Sequence, residues 1–380
     1  MTRSNGLSRT LEHFATKAFL AAARILEKGR PKRPAPAGDH RALICKWCCM
    51  GDAILSLYAI REFKRRNPGI TLEMLVSSRI AEVYKGAPEI DRVHVLPVTG
   101  RRLLLELINP GLWFRFAALI LRLRRSRFAQ LIDLELYRGT GAMLKRLIGI
   151  PYSRGFLVEG AIPKGHDFEA PRPKDMPEWQ CFYQVLGMEL PEFKPAPLYS
   201  RVHDKQGLQP GSGKRIGIVY GSSFNWPQKK WPWEYYAETI SLLESEGHEF
   251  ILLGSPIEME EGLLIAGKAK GRIRNTTGTL DYAGLKREVA ACDLVLGNDT
   301  GTLHLASACG VPTVTLFGPT DPRKWNGMTS TPMFLDGLPC RPCYYLGSMP
   351  PCGHFSCLRK LAPSLVAERI RALLIPAPAA

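Results

Sequence analysis

The stretch GNDTGTLHLASACGVPTVTLFGPTDP, residues 297–322, changes character in the middle. An apolar run from Asp293 to Gly297 reads as a buried strand. It breaks into Asn298-Asp299-Thr300-Gly301-Thr302 before a short helix of small residues begins. A helix N-terminus exposes unpaired N–H groups at the positive end of its dipole, which together make an anion site. Gly301 lets a ligand approach the backbone, Thr300 and Thr302 add hydroxyls, and the small residues after them allow close packing of helix on sheet. An ordinary N-cap by Asp299 or Thr300 explains the same residues. The rest of the chain decides between the two readings.

Working outward, strands and helices alternate on both sides of this junction. ALICKW reads as a buried strand, followed by the helix DAILSLYAIREFKRR, a turn at Asn67-Pro68-Gly69 and the strand TLEMLV. Further strands are expected at RVHVLP (92–97) and AQLIDL (129–134), with a basic amphipathic helix between them. A Pro/Gly-rich stretch at 195–214 interrupts the pattern. It restarts with RIGIVYG, WEYYAETISLLES, EFILLG and YAGLKREVAAC, and ends in the helix PSLVAERIRALL. Such alternation implies two α/β units, each with a mainly parallel sheet covered on both faces. Doubly wound units bind ligands outside the carboxyl ends of their strands. The Asp299 junction lies at such an end, and so does Gly51-Asp52 in the first unit.

With 380 residues there is room for two domains, and a formal net charge of +16 points to an anionic partner: nucleic acid, membrane surface or phosphorylated substrate. No run of about 18 apolar residues suggests a transmembrane helix. The segment LEHFATKAFLAAARILEKGRPKR (11–33) is a poor signal peptide, because Lys17 and Arg24 interrupt its apolar centre. Its helical periodicity fits an interfacial membrane helix or a mobile extension, ending in the Pro-rich linker at 31–39. The basic region 101–128 suits an anionic lipid-linked acceptor and an anionic membrane, while a solvated helix face is the plainer alternative.

Two further stretches bear on chemistry. YGSSFNWPQKKWP (220–232) leaves a strand through Gly221, Ser222 and Ser223 and carries Lys229 and Lys230, a set of hydroxyls and ammonium groups suited to a diphosphate. In CKWCCMGD, Asp52 stands at a helix start, as a good N-cap or as a base whose ionisation the helix dipole favours and whose basicity it lowers. Neither a G-x-G-x-x-G after a strand nor a G-x-x-x-x-G-K-[ST] is present, and no D-x-D pair offers to carry a metal–diphosphate complex.

Together CKWCCMGDAILSLYAIREFKRRNPG, GSSFNWPQKKWPWEYYAE and GNDTGTLHLASACGVPTVTLFGPTDPRKW resemble glycosyltransferase family 9, in order from about residue 41 to 373. The family's best-known members are ADP-heptose:lipopolysaccharide heptosyltransferases. The resemblance implies an α/β GT-B fold, two Rossmann-like doubly wound domains facing across a cleft, and an inverting reaction that requires no metal. On this chain it implies an extension and linker at 1–40, an acceptor domain at 41–195, a donor domain at 196–362 and a terminal helix and tail at 363–380. Asp52 takes the place of the catalytic base. Ser222, Ser223 and Lys229 fall where the donor diphosphate binds, Thr300, Gly301 and Thr302 match the backbone phosphate site, and Asp299 matches a contact to the donor sugar. His304 lies in the same motif, and Glu258 in GSPIEMEE is the candidate ribose-binding acid. The partners implied are a nucleotide-sugar, ADP-heptose first, and an anionic lipid-linked oligosaccharide acceptor. The site of action implied is the cytoplasm or the cytoplasmic face of the inner membrane, with no role for nucleic acid. Cys48 and Cys49, beside the base, depart from the serines common there.

The other classes kept open are a nucleotide-sugar epimerase and a basic nucleic-acid-binding α/β protein, though no nucleic-acid reading motif is recognisable. Of ten cysteines, Cys48, Cys49, Cys292 and Cys309 are expected as buried small hydrophobes. Cys340, Cys343, Cys352 and Cys357 have metal-like spacing, readable as a structural zinc site or as reduced thiols packing a loop.

Overall fold

A computed structural model of the chain describes residues 40–97, 109–135, 140–158, 165–202, 213–222, 226–344 and 348–375. The periodic segment at 11–33, Ser223 and the PAPAA tail lie outside the described residues. The chain divides into two compact units between Leu190 and Pro191.

In the first unit, β1 (Arg41–Lys46) is followed by α1 (Met50–Arg66), β2 (Thr71–Val76), the short α2 (Ala81–Lys85) and β3 (Arg92–Val95). Then come α3 (Pro110–Arg125), β4 (Gln130–Asp133), α4 (Thr140–Ile148), β5 (Tyr152–Val158), β6 (Phe168–Arg172) and α5 (Glu178–Val185). All pairings are parallel, in the order β3-β2-β1-β4-β5-β6. The central strand β1 is buried from Ala42 to Lys46, as a parallel strand covered on both faces must be. One covering layer presents Leu119, Ile120 and Leu123 of α3 to Leu43, Leu75 and Leu131. On α1, ten of seventeen residues are buried, so this helix lies deep in the fold.

The second unit repeats the plan. It runs β7 (Arg215–Val219), α6 (Trp233–Leu242), β8 (Glu249–Leu252), α7 (Met259–Lys268), β9 (Arg272–Asn275), α8 (Tyr282–Ala290) and β10 (Leu294–Asn298). It continues through α9 (Gly301–Ala308), β11 (Thr313–Leu316), α10 (Pro322–Trp325), β12 (Ser330–Met333), α11 (Ser356–Arg359) and α12 (Pro363–Leu374). Its parallel sheet has the order β12-β11-β10-β7-β8-β9. Counted from its own first strand, that is the same 3-2-1-4-5-6 arrangement as in the first unit, the doubly wound dinucleotide-binding topology. The terminal helix α12 belongs to this core, where Val366, Ala367 and Ile370 pack with Trp231, Tyr236 and Ile240. Upstream, the backbone N–H groups of Leu198 and Tyr199 donate to Ala308 O at 2.8 and 3.0 Å, fastening this segment to the second unit.

Strand order fixes where chemistry can sit. Chain direction across the sheet reverses between β1 and β4 in one unit and between β7 and β10 in the other, and there the connections diverge to leave a crevice. Both junctions singled out above leave these strands.

Candidate active site

The first unit's crevice is acidic around the buried Lys46. Lys46 ends β1, fully buried. Its Nζ lies 3.8 Å from Asp52 Oδ2 and 3.9 Å from Glu135 Oε1, just past β4. Burial alone would discharge this amine, but the neighbouring Cys48, Glu135 and Asp52 hold it well above the ordinary lysine range. Glu135 is itself fixed: its carboxylate accepts from Trp47 N at 2.8 Å and from Cys48 Sγ at 3.0 Å. The chain then turns through Cys49, at φ 61°, into α1. A non-glycine residue at positive φ is uncommon and marks a turn held by its surroundings.

The helix starts at Met50, so Asp52 sits inside its first turn and Cys49 occupies the N-cap position without a side-chain cap. That corrects the expectation of Asp52 as the cap. Among the described residues the Asp52 carboxylate accepts no hydrogen bond, and Lys46 is its cation. Its expected low basicity is corrected as well. Burial pushes its pKa up to about 6, Lys46 and Arg172 pull against that, and Glu178 and Glu135 add to it. Desolvation outweighs the dipole because Asp52 is only 7 % exposed. Arg172 and Glu178 form their own buried pair, Nη2 to Oε2 at 2.6 Å. Cys48 is half-buried and Cys49 exposed, unlike Cys292 and Cys309, which are buried as expected. The Cys48 and Cys49 sulfurs and an Asp52 oxygen lie within 4.8 Å of one another. The Lys46 ammonium already supplies positive charge there, and we assign no ion to them.

The second unit's crevice is built from hydrogen-bond donors. Asn298, fully buried at the end of β10, ties its two connections together. Its Nδ2 donates to Tyr220 O at 2.8 Å and Gly221 O at 3.0 Å, and its Oδ1 accepts from Trp231 N at 3.0 Å. Residues after β7 and after β10 are thereby held together, so Ser222, Lys229, Asp299, Thr300 and His304 form one cluster. The Ser222 hydroxyl donates to Trp226 O at 3.0 Å. Lys229 pairs with Asp299 Oδ2 at 2.9 Å, over the Tyr344 ring at 4.8 Å, whereas Lys230 turns to Glu261. Burial would raise the Asp299 pKa, but the Lys229 charge holds it below the usual carboxylate range. His304 is pushed down, chiefly by burial, so its ring is neutral at pH 7.

Thr300 is the N-cap of α9, yet its side chain makes no capping bond. Its Oγ1 and His304 Nδ1 are buried without a hydrogen-bond partner among the described residues. The N–H groups of Gly301 and Thr302 are in the first helical turn, where no intrahelical carbonyl reaches them. Buried polar atoms are almost always paired in folded proteins, so unpaired donors at this helix start suit an anionic ligand. Glu258 lies beside the loop that follows β7. Its Oε2 accepts from Ser255 N at 2.6 Å and Ser255 Oγ at 2.7 Å in a capping box. A Cβ on Gly221 would fall 1.9 Å from Glu258 Oε1, so glycine is what lets this carboxylate approach the loop.

Sequence reasoning missed Lys46, Glu135, Arg172, Glu178 and Asn298. The available signal was a charged or amide side chain ending an otherwise apolar strand, as in ALICK and LVLGN. The four cysteines with metal-like spacing gather in one region: behind burial, the neighbouring Cys343, Cys352 and Cys340 help raise the Cys357 thiol, although among the described residues no three of the four sulfurs lie within 4.8 Å of one another. Cys357 points into the core beside Leu358, while Cys340 is exposed.

Comparison with known proteins places these features in context. The family model for glycosyltransferase family 9 (heptosyltransferase) matches residues 116–346, more than half of the chain. Lipopolysaccharide heptosyltransferase 1 of Pseudomonas aeruginosa is 28% identical over 324 residues, covering 80% of this chain and 86% of that protein. A glycosyl transferase family 9 structure from Veillonella parvula superposes with TM-score 0.71 at 18% identity, covering 90% of this chain and all of its own. The E. coli heptosyltransferase WaaC with ADP-2-deoxy-2-fluoro heptose gives TM-score 0.66 at 22% identity, over 87% of this chain and 99% of that one. These likenesses establish the fold as GT-B, with two Rossmann-like units.

Proposed function

Since the chain belongs to glycosyltransferase family 9, we propose that it transfers a heptose from ADP-heptose to an anionic, lipid-linked acceptor of the lipopolysaccharide-core type, with inversion and without a metal. Family membership replaces the epimerase alternative with acceptor-dependent transfer. The heptose and the acceptor rest on the activity named for the Pseudomonas relative, and the donor on the ligand named in the E. coli structure. The reading places the enzyme in the cytoplasm, at the inner face of the inner membrane. No described helix is long and apolar enough to cross a membrane.

The mechanism assigns Asp52 as the base. An acceptor hydroxyl loses its proton to the Asp52 carboxylate as its oxygen attacks the anomeric carbon, on the face opposite the leaving ADP. A sugar hydroxyl is a weak acid and the carboxylate a modest base, so the proton moves late, when bond formation has made the hydroxyl acidic. Positive charge grows on the sugar and negative charge on the departing phosphate oxygens. The Gly301 and Thr302 N–H groups, the Thr300 and Thr302 hydroxyls and Lys229 stabilise that negative charge, already oriented before reaction begins. Ser222 and Ser223 join them at the diphosphate, Asp299 and His304 line the donor-sugar side, and Glu258 takes the ribose.

The observation that carries this reading is the buried Asp52 carboxylate, with no hydrogen bond among the described residues and a pKa near 6, which leaves it ionised and free to accept a proton at pH 7. Asp52→Ala should abolish transfer while ADP-heptose binding survives. In a thermal-shift assay, a donor at 100 times its dissociation constant stabilises by about 2.7 kcal/mol in both wild type and variant. Near-normal turnover of Asp52→Ala would falsify the mechanism. Loss of the donor-induced shift from the wild-type protein would remove the donor.

A further inference from the structure

Helix α3 is apolar on two faces, and the core of the first unit takes only one. Leu119, Ile120 and Leu123 pack into the core of the first unit. On the other side Trp113, Phe114 and Leu121 are 53, 77 and 51 % exposed, with Ala117 and Ala118 also exposed. Phe114 and Leu121 are seven residues apart and share a face. A surface helix normally turns a polar face to water, so the outward aromatic and leucine side chains need another explanation.

The charges beside them select the occupant. The helix contains no acidic residue, and Arg115, Arg122, Arg124 and Arg125 are all exposed. Among the described residues none of these four has an acidic partner. At the C-terminal end of the helix, Arg122, Arg125 and Leu121 line a groove with Arg41 and Arg92. Arg41 is held by Glu73, while Arg92 is exposed and unpaired among the described residues. Planar guanidinium groups converging beside an apolar side chain fit phosphate headgroups next to acyl chains.

We infer that the outward face of α3 docks on an anionic lipid bilayer, with Phe114 and Leu121 entering the interface and the arginine groove taking lipid phosphates. A second copy of this chain does not fit, because symmetric pairing would oppose unpaired arginines on a chain of net charge +16. The inference deepens the proposed function by giving the enzyme a route to a lipid-linked acceptor. Its test uses neither donor nor acceptor, so it fails independently of that reading.

The probe is co-sedimentation of the full chain with phosphatidylcholine vesicles, with and without phosphatidylglycerol. Wild type should bind only the anionic vesicles. Phe114→Ser combined with Leu121→Ser should weaken binding at least tenfold while the melting temperature is unchanged. Arg122→Gln and Arg125→Gln should each weaken it about fivefold and flatten its salt dependence. They probe the same face should the apolar pair fail to fold. Wild-type binding carried unchanged by all these variants would move the dock elsewhere, for example to the segment at 11–33. No binding to anionic vesicles, or equal binding to neutral ones, would end the proposal. Saturable RNA binding abolished by the same substitutions would reassign the surface.

Discussion

The two units have one topology and opposite chemistry. At the β1/β4 reversal two buried carboxylates, Asp52 and Glu135, lie 3.8 and 3.9 Å from a single ammonium, Lys46. At the β7/β10 reversal a neutral His304, an unpaired Thr300 hydroxyl and the first turn of α9 offer donors, with Lys229 beside them. One crevice is suited to take a proton and the other to hold an anion. The sheet order determines where a ligand can sit, and a handful of side chains at the strand ends determines what is done to it.

The largest effect that tests this contrast belongs to Asp52. Asp52→Asn should lower kcat by about 10²- to 10⁴-fold, the range of general-base contributions. The same change should stabilise the protein at pH 8. Asp52 has a folded pKa of about 6 against an ordinary 3.8, so the native state binds its proton more tightly than the unfolded chain. Its ionisation therefore costs stability, a cost that grows from pH 4 to pH 6 and is complete above that window, on the order of 3 kcal/mol. Urea titrations of wild type and variant should diverge across this window. Parallel curves would mean that the carboxylate is not desolvated.

Next in size comes the lysine pair of the second unit. Lys229→Met should reduce kcat about 10²- to 10³-fold, as loss of a preorganised contact to a developing oxyanion does. Lys230 faces Glu261, so Lys230→Met should cost less than about tenfold. Equal effects would erase the distinction the two ion pairs draw.

Much of this was legible in the sequence, and the failures share a cause. The strands ALICK and RIGIV announce a parallel sheet because burial on both faces demands continuous apolar runs. Both junctions were readable from local turn and cap chemistry. Lys46, Glu135 and the Arg172–Glu178 pair were not, since their meaning comes from strand order, which brings residues almost ninety positions apart to within 4 Å. Asp52 was read at the start of the helix and lies in its first turn, but the direction of its pKa shift was reversed. A dipole can be read from position on a helix, whereas desolvation depends on what covers it. Asn298 stood in the sequence only as the first residue of a polar break and proved to be the clasp between two loops.

A smaller effect sharpens the first unit's side. Lys46 is the positive charge nearest Asp52, with Arg172 adding to it and Glu135 and Glu178 opposing it. Removing an adjacent cation disfavours the carboxylate, so in Lys46→Met the acid limb of kcat/KM should move upward from pH 6 by about one unit. Lys46→Arg should restore it. A limb that stays put while activity falls uniformly would make Lys46 a packing residue.

The smallest effect concerns Thr300, and there stability and function should part. Its Oγ1 is buried without a partner, so the free protein carries the desolvation cost of that hydroxyl without a compensating bond. Thr300→Val keeps the shape and removes the orphan atom, so stability without donor should be unchanged or higher by up to about 1 kcal/mol. With donor bound as proposed, the wild-type hydroxyl should gain a phosphate oxygen and the valine nothing. Donor affinity should therefore fall about five- to tenfold, the worth of one hydrogen bond to a charged group. A variant that melts lower than wild type yet binds donor normally would show that this hydroxyl serves the fold. The donor-rich crevice would then lose one of the atoms that sets it apart from its acidic counterpart.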